Sequence, residues 1–331
     1  MIIEIDKINE LISNNQHFVV IQADNPDGDS LATALALESI LEDMGKTVDL
    51  YCGVEVPGYL KFIEGWSRVK KELPSKFDAS IIVDTSANGL LEKLNDSPYK
   101  ISVATKPVLV IDHHGEVDCD IPYASVISNN PGYASAGEVV YDIAKALGWK
   151  LSQLSSELIL QSILSDTLGL TSDMATPETY RRVADIIDSG VNRSKLEEAR
   201  KEMSKMEPDV FRYKAKLIER TEFFLDNSIA LIEIPESELF DVGTLYNPGP
   251  LILSEVLMVS GVKVGIALKV YKKRLTGSIR CGGNIKIANE LAGKYGGGGH
   301  AFAAGFRVDD FAGDIKDFKN ELIRNTIGLI K

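Results

Sequence analysis

The sequence predicts an α/β protein whose N-terminal domain is built on a parallel sheet, and three observations carry that prediction. Apolar runs of strand length alternate with helical patterns, the signature of parallel strands joined by crossover helices. Three of these runs stop at acidic or imidazole side chains: His17–Ala23 before Asp24-Asn25-Pro26-Asp27-Gly28-Asp29-Ser30, Ala79–Val83 before Asp84, and Val108–Ile111 before Asp112-His113-His114. Open α/β sheets bind ligands at the carboxyl ends of their strands, so these side chains fall where such a fold keeps its active crevice. The chain has four histidines, and two of them stand side by side at one of these strand ends. Imidazole next to carboxylate in a crevice suits metal binding or proton transfer.

Taken in order, residues 1–15 place Ile5, Ile8, Leu11 and Ile12 at helical spacing. The strand His17–Ala23 follows, and Ser30 is expected to cap a helix that carries Leu31, Ala34, Leu35, Leu41 and Met44 and stops near Gly45. Thr47–Cys52, Ala79–Val83 and Val108–Ile111 are the next strands. After the stretch Pro122–Ser128 the chain turns helical, with helices over Ala136–Leu147, over Ser155–Leu168, and from Pro177 onward. Asp166 lies inside the apolar sequence Ile163-Leu164-Ser165-Asp166-Thr167-Leu168, where a carboxylate is costly unless paired or bound to a cation. Residues 193–224 are rich in Lys, Arg and Glu and read as solvated helices. Beyond them a second α/β unit is expected. It has a strand at Ile229–Ile234, a helix at Pro250–Val259, a hairpin of Val262–Tyr271 with Leu275–Arg280, and a helix at Ile285–Tyr295. The run Gly296–Gly299 with His300 comes next, then a strand through Phe306 and a closing helix over residues 313–328. The expected organisation is therefore an N-terminal α/β domain over 1–192, a helical linker over 193–226, and a smaller α/β domain over 227–331.

Composition narrows the function. With 331 residues the chain can bury two cores, and 44% hydrophobic with 25% charged residues is ordinary for a globular protein. No apolar run approaches the roughly 20 residues that span a bilayer, and Met1–Asp6 has no basic region ahead of an apolar core, so neither a membrane nor a secretory signal is expected. Cys52, Cys119 and Cys281 are isolated, which fits a reducing cytoplasm and gives no disulfide framework or thiolate metal site. The net charge of −12, with no basic cluster longer than Lys272-Lys273-Arg274, argues against tracking long nucleic acid. If the substrate is a phosphate ester, local cations must bind it, and a short one is favoured over a long polymer.

Asp27, Asp29, Asp84, His113 and Asp166 together offer four carboxylates and an imidazole, a hard, oxygen-rich set suited to Mn²⁺ or Mg²⁺. Two such ions about 3.5–4 Å apart bind a phosphoryl oxygen and acidify a bridging water, and Asp84 is the candidate bridge. In the second unit the glycine run lets backbone N–H groups converge on an anion, with Arg280 and His300 as further donors.

These stretches, Asn25–Ser30, Asp84, Asp112-His113-His114, Asp166 and the glycines through Ala303-Ala304-Gly305-Phe306, resemble the DHH phosphoesterase family with its DHH-associated C-terminal domain. The resemblance covers nearly the whole chain. Its length and two-domain plan are most similar to the branch of nanoRNases and 3′-phosphoadenosine 5′-phosphate phosphatases. It implies Mn²⁺-dependent hydrolysis of short oligonucleotides, small nucleotides or cyclic dinucleotides, with Mg²⁺ as a second possible ion. By position it gives Asp29, Asp84, His113 and Asp166 to one metal and Asp27 with Asp84 to the other. It sets His114 against the scissile phosphate and gives Arg280, Gly297, Gly298 and His300 to the substrate.

Two positions depart from the family pattern. A histidine expected four residues before Asp27 is Ala23 here, and His17 is too far along the strand to replace it, since six residues of strand cover about 20 Å. Gln22 and Asp24 flank Ala23 and start on the opposite face. The Asp27 site should therefore be weakened. Cys281 stands where a serine often follows the arginine. A second reading, motivated by Ala23, is a nucleotide-binding or regulatory protein with slowed catalysis. Inorganic pyrophosphatase and a processive exonuclease fit less well, because Phe302 suits a nucleoside and no basic channel is evident. A homodimer is left open, since an apolar helix such as Ala136–Leu147 is more often core than interface.

Overall fold

The computed structural model describes residues 2–114, 119–203, 205–241, 248–299 and 301–330. Its contacts divide the chain into two compact units, Met1–Lys205 and Met206–Lys331. Within the stretch 193–226, one helix falls in the first unit and another in the second.

The first unit contains α1 (Ile5–Asn14), β1 (His17–Ile21), α2 (Gly28–Asp43), β2 (Thr47–Tyr51), β3 (Ala79–Val83), α3 (Glu92–Asn95) and α4 (Tyr99–Ala104). It continues through β4 (Val108–Asp112), β5 (Val126–Asn129), α5 (Ala136–Leu147), α6 (Gln153–Asp166), α7 (Pro177–Asp188) and α8 (Arg193–Met203). Its five strands run parallel in the order β2-β1-β3-β4-β5. The inner strands β1, β3 and β4 are short and largely apolar, as fits strands covered on both faces of a parallel sheet. Phe18, Val20, Ile81, Val83, Leu109 and Ile111 pack with residues of α1, α2, α5 and α6. Val19, Ile21, Ile82, Val108 and Val110 pack with Leu91, Leu94 and Val103 on the other side. Strand order reverses between β1 and β3, which makes that crevice the topological switch point where ligands bind in such sheets.

Two sequence expectations are corrected here. Asp27, not Ser30, caps α2: its carboxylate accepts from Ser30 N while Ser30 Oγ accepts from Asp27 N, a reciprocal capping box. β5 lies inside the stretch read as a lead-in to helix. It is only four residues long, with Val126 and Ser128 buried and Ile127 exposed, so it carries no long apolar run to mark it.

The second unit comprises α9 (Pro208–Glu219), β6 (Glu222–Phe224), β7 (Ile229–Pro235), α10 (Glu236–Asp241), α11 (Pro248–Val256) and β8 (Val264–Tyr271). It closes with β9 (Arg274–Cys281), α12 (Ala288–Gly293), β10 (Gly298–Gly299), β11 (Ala303–Asp309) and α13 (Ile315–Ile330). Its six-stranded sheet has the order β10-β11-β9-β8-β7-β6, with β7 and β8 parallel and the other pairs antiparallel. The hairpin of β8 and β9 is present as expected, whereas α12 is shorter than the predicted Ile285–Tyr295. Among the described residues no helix is long and apolar enough to cross a membrane.

Candidate metal centre

Three helix ends meet at the switch point, and glycines allow the approach. A Cβ on Gly28 would overlap Ser165 Oγ, and one on Gly137 would overlap Ser162 Oγ, so the first turns of α2 and α5 lie directly against α6. Asp29, in the first turn of α2, is fully buried. It accepts from Ala136 N at 2.7 Å, Gly137 N at 3.3 Å, Ser162 Oγ at 2.6 Å and Thr33 Oγ1 at 2.8 Å. Two of these donors are the first free N–H groups of α5, where the helix dipole favours an anion. Sequence reasoning did not single out Ser162, Thr33 or Gly137; the only local signal was Ser135 three residues before Glu138, which does cap α5.

His113 sits immediately beyond β4 and is buried. Its Nδ1 lies 3.2 Å from the Tyr133 carbonyl, an acceptor only, so Nδ1 carries the proton. Nε2 then faces three carboxylates: Asp84 Oδ1 at 3.3 Å, Asp166 Oδ2 at 3.3 Å and Asp29 Oδ2 at 3.5 Å. Asp84 closes β3 with φ +60, a left-handed conformation that costs about 1–3 kcal/mol for a non-glycine residue and clusters at functional sites. Asp166 ends α6.

The electrostatics are those of a cation site. Burial, reinforced by the charge of Asp29, pushes the Asp84 carboxyl well above its ordinary range. Burial likewise pushes Asp166 up to about 6 against the pull of His113. For His113 burial works downward, but Asp166, Asp84 and Asp29 outweigh it and drive the imidazole up to about 11. Three carboxylates around one imidazolium still leave net negative charge in a buried pocket, and desolvated ions that lack compensation cost several kcal/mol each. His113 Nε2 and Asp84 Oδ1 are both buried without a hydrogen bond. Two bonds of about 2.1 Å at a right angle hold co-ligands about 3 Å apart, close to the spacing seen here. The residues therefore fit a divalent ion bound by oxygen and imidazole.

His114 stands beside this cluster, its Nδ1 2.7 Å from Asp112 Oδ1 and 3.8 Å from Asp84 Oδ1. The same Asp112 oxygen accepts from His113 N and His114 N. Burial opposes ionisation of Asp112, yet the hydrogen bond from His114 and its other donors hold its pKa below the usual value. The pair in turn raises the pKa of His114, whose side chain is 59% exposed and free to meet a ligand. Among the described residues two trios could share an ion, Asp29-His113-Asp166 and Asp84-His113-His114. Asp27 belongs to neither and is engaged in capping. Ala23 is buried, and Asp24 is turned away to accept from Lys93 N. Gln22 is buried with neither amide atom hydrogen-bonded. His17 pairs with Asp49 at 2.8 Å, at the far end of β1.

The remaining candidates lie in the second unit. Arg280 stands opposite Ala303 of β11 and Gly265 of β8, on the half-buried face of β9 with Thr276 and Ser278. Its neighbours there are small, and Gly298 stands across from Gly305. The glycine run is not simply an open loop: Gly298 and Gly299 pair with β11 as a short edge strand. A Cβ on Gly297 would overlap the Gly305 carbonyl, so that glycine is required for packing. Cys281 points into the buried core on the opposite face, so a hydroxyl there would not join Arg280. His300 lies outside the described residues.

The sequence signature of the DHH family, N-terminal domain, matches residues 17–168, which hold every residue of the cluster. The N-terminal unit belongs to the DHH family. The bifunctional oligoribonuclease and PAP phosphatase NrnA of Thermus thermophilus is 27% identical over 285 residues, covering 85% of this chain and 81% of that protein. Among solved structures, an exopolyphosphatase-related protein from Bacteroides fragilis superposes with a TM-score of 0.83 at 19% identity, over 100% of this chain and 99% of the other. RecJ from Thermus thermophilus, solved with Mn²⁺, gives a TM-score of 0.52 at 14% identity, over 97% of this chain and 53% of RecJ. At those identities the two structures speak for the DHH fold alone.

Proposed function

We propose that this chain is a metal-dependent phosphoesterase that cleaves short oligonucleotides and small nucleotides. The observation that carries the reading is the convergence of Asp29, Asp84 and Asp166 on His113 Nε2. A DHH signature over residues 17–168 and the NrnA relative along most of the chain support a nucleotide phosphoesterase of the nanoRNase type.

The ion is Mn²⁺, with Mg²⁺ as the alternative for an oxygen-rich set. When bound, it supplies a Lewis acid for a phosphoryl oxygen and an acidified water. The protein does the rest. Asp29 is fixed by four donors, so it needs no reorganisation to ligate. The Tyr133 carbonyl keeps the His113 proton on Nδ1 and its lone pair on Nε2. Asp112 orients His114, whose exposed ring is placed to donate to a phosphate oxygen. In the second unit Arg280, Gly297, Gly298 and His300 receive the nucleotide, and the ring of Phe302, 42% exposed, offers a surface for a base.

With Mn²⁺, purified protein should release mononucleotides from a dinucleotide, and Asp84→Asn should cut that rate by at least about 100-fold. Undiminished turnover in Asp84→Asn would refute the site. Ala23 favours one second reading, a nucleotide-binding protein with slowed catalysis. A large gain in the Mn²⁺-dependent rate of Ala23→His would support it.

A further inference from the structure

We infer that the buried Glu138 is a positioning residue for His113 and acts on it through a single peptide group. This rests on the metal-dependent reading above and deepens it. The peptide joining Tyr133 to Ala134 is bonded on both sides: its carbonyl lies 3.2 Å from His113 Nδ1, and its N–H donates to Glu138 Oε2. A carboxylate that accepts from an amide N–H polarises the amide and makes its carbonyl a better acceptor. The charge of Glu138 is thereby felt at the histidine, where it tightens the Nδ1–H bond and raises the basicity of Nε2 toward a cation.

Two features favour this role over a plain helix cap or a structural ion pair. Ser135 caps α5 by accepting from Glu138 N, and in a capping box the glutamate would answer on the N–H of the serine. Glu138 reaches one residue further back instead, to the peptide that touches His113. Its other oxygen, Oε1, accepts from Arg182 Nη1 at 2.9 Å, and Glu138 is fully buried. Buried ion pairs are a weak source of stability, and apolar residues of similar volume often serve as well. Apolar side chains could not accept from Ala134 N. Arg182 also forks onto Asp142 at 2.8 and 2.7 Å, and Asp142 accepts from the Tyr133 hydroxyl at 2.8 Å. One network thus holds both the side chain and the peptide of Tyr133.

Three measurements separate positioning from stability. Glu138→Gln keeps the side chain's shape and can still accept from Ala134 N, but it carries no charge. Its Mn²⁺ dissociation constant, read by calorimetric titration, is expected to rise at least about 10-fold, as when such outer partners of a ligand are lost. Arg182→Leu/Glu138→Leu is expected to regain denaturant stability relative to Arg182→Leu, while its Mn²⁺ affinity stays at least about 10-fold below wild type. The third readout needs no metal. In protein labelled with ¹⁵N-histidine, the Nδ1 proton of His113, assigned by its loss in His113→Asn, is expected to move upfield in Glu138→Gln. Wild-type Mn²⁺ affinity in either variant, or an unmoved Nδ1 proton, would overturn the inference and leave the phosphoesterase reading standing. A wild-type chain that binds no Mn²⁺ would instead defeat the metal-dependent reading itself, and the proton shift would still decide whether Glu138 acts on His113.

Discussion

Asp112 Oδ1 accepts from His113 N at 2.8 Å, from His114 N at 3.3 Å and from His114 Nδ1 at 2.7 Å, so one buried oxygen pins the backbone of both histidines and aims the His114 imidazole. It acts through the His113 backbone and the His114 ring, which makes it a positioning residue. Asp112→Asn should lower kcat by about 10–100-fold while Mn²⁺ content stays at the wild-type level, a split that elemental analysis and steady-state rates resolve together. A second positioning device surrounds Tyr133. Arg182 bonds Glu138 at 2.9 Å and Asp142 at 2.7 Å, and its guanidinium lies 4.8 Å from the Tyr133 ring centre. The Glu138 side chain is only 1% exposed. Arg182→Leu strands that charge and should destabilise the protein by about 3–5 kcal/mol, measured from denaturant midpoints, with Arg182→Leu/Glu138→Leu recovering part of the loss.

At the scale of elements, the site exists because α2, α5 and α6 bring their ends together. Gly137 is the tightest point of that junction, where a Cβ would overlap Ser162 Oγ while the glycine's own N–H reaches both Ser162 and Asp29. Gly137→Ala should separate α5 from α6, costing about 1–3 kcal/mol by overpacking. Mn²⁺ should also bind at least about 10-fold more weakly as Asp29 loses its fixed donors. Calorimetric titration of the variant checks both halves, and unchanged Mn²⁺ affinity would show that Asp29 holds its place without α5. In the second unit the glycine run works at the same scale: Gly298 and Gly299 form the edge strand β10, so the run proposed to bind phosphate is a strand edge as well as a loop.

For the whole molecule, the buried carboxylate cluster is unfavourable without a cation, and binding an ion to the folded state alone adds stability by mass action. At 100 times its Kd, Mn²⁺ contributes about 2.7 kcal/mol. The melting temperature should rise with Mn²⁺, fall back with a chelator, and stay flat in Asp166→Asn, all readable by differential scanning calorimetry. The net charge of −12 acts at this scale too. It sets no fold, but it repels polyphosphate at a distance, which is consistent with a short substrate gripped by a few local cations.

How much of this was legible in the sequence follows from the range of each interaction. Period and strand-end chemistry are local, so the parallel sheet and the β8–β9 hairpin could be read before any coordinates, and Asp27, Asp29, Asp84, His113 and Asp166 could be named as candidates, although Asp27 joins neither trio of potential ligands among the described residues. The capping role of Asp27 was equally local but was assigned to Ser30, because a capping box names two partners and the sequence does not say which one begins the helix. The four-residue β5 was missed because a half-buried edge strand needs no apolar run. What the sequence could not contain is the partnership of Asp29 with Ala136 N and Ser162 Oγ, 107 and 133 residues away. Such contacts have no periodicity and no fixed spacing. They are set when helices close-pack around small residues, and only the tertiary structure decides that three carboxylates share one nitrogen.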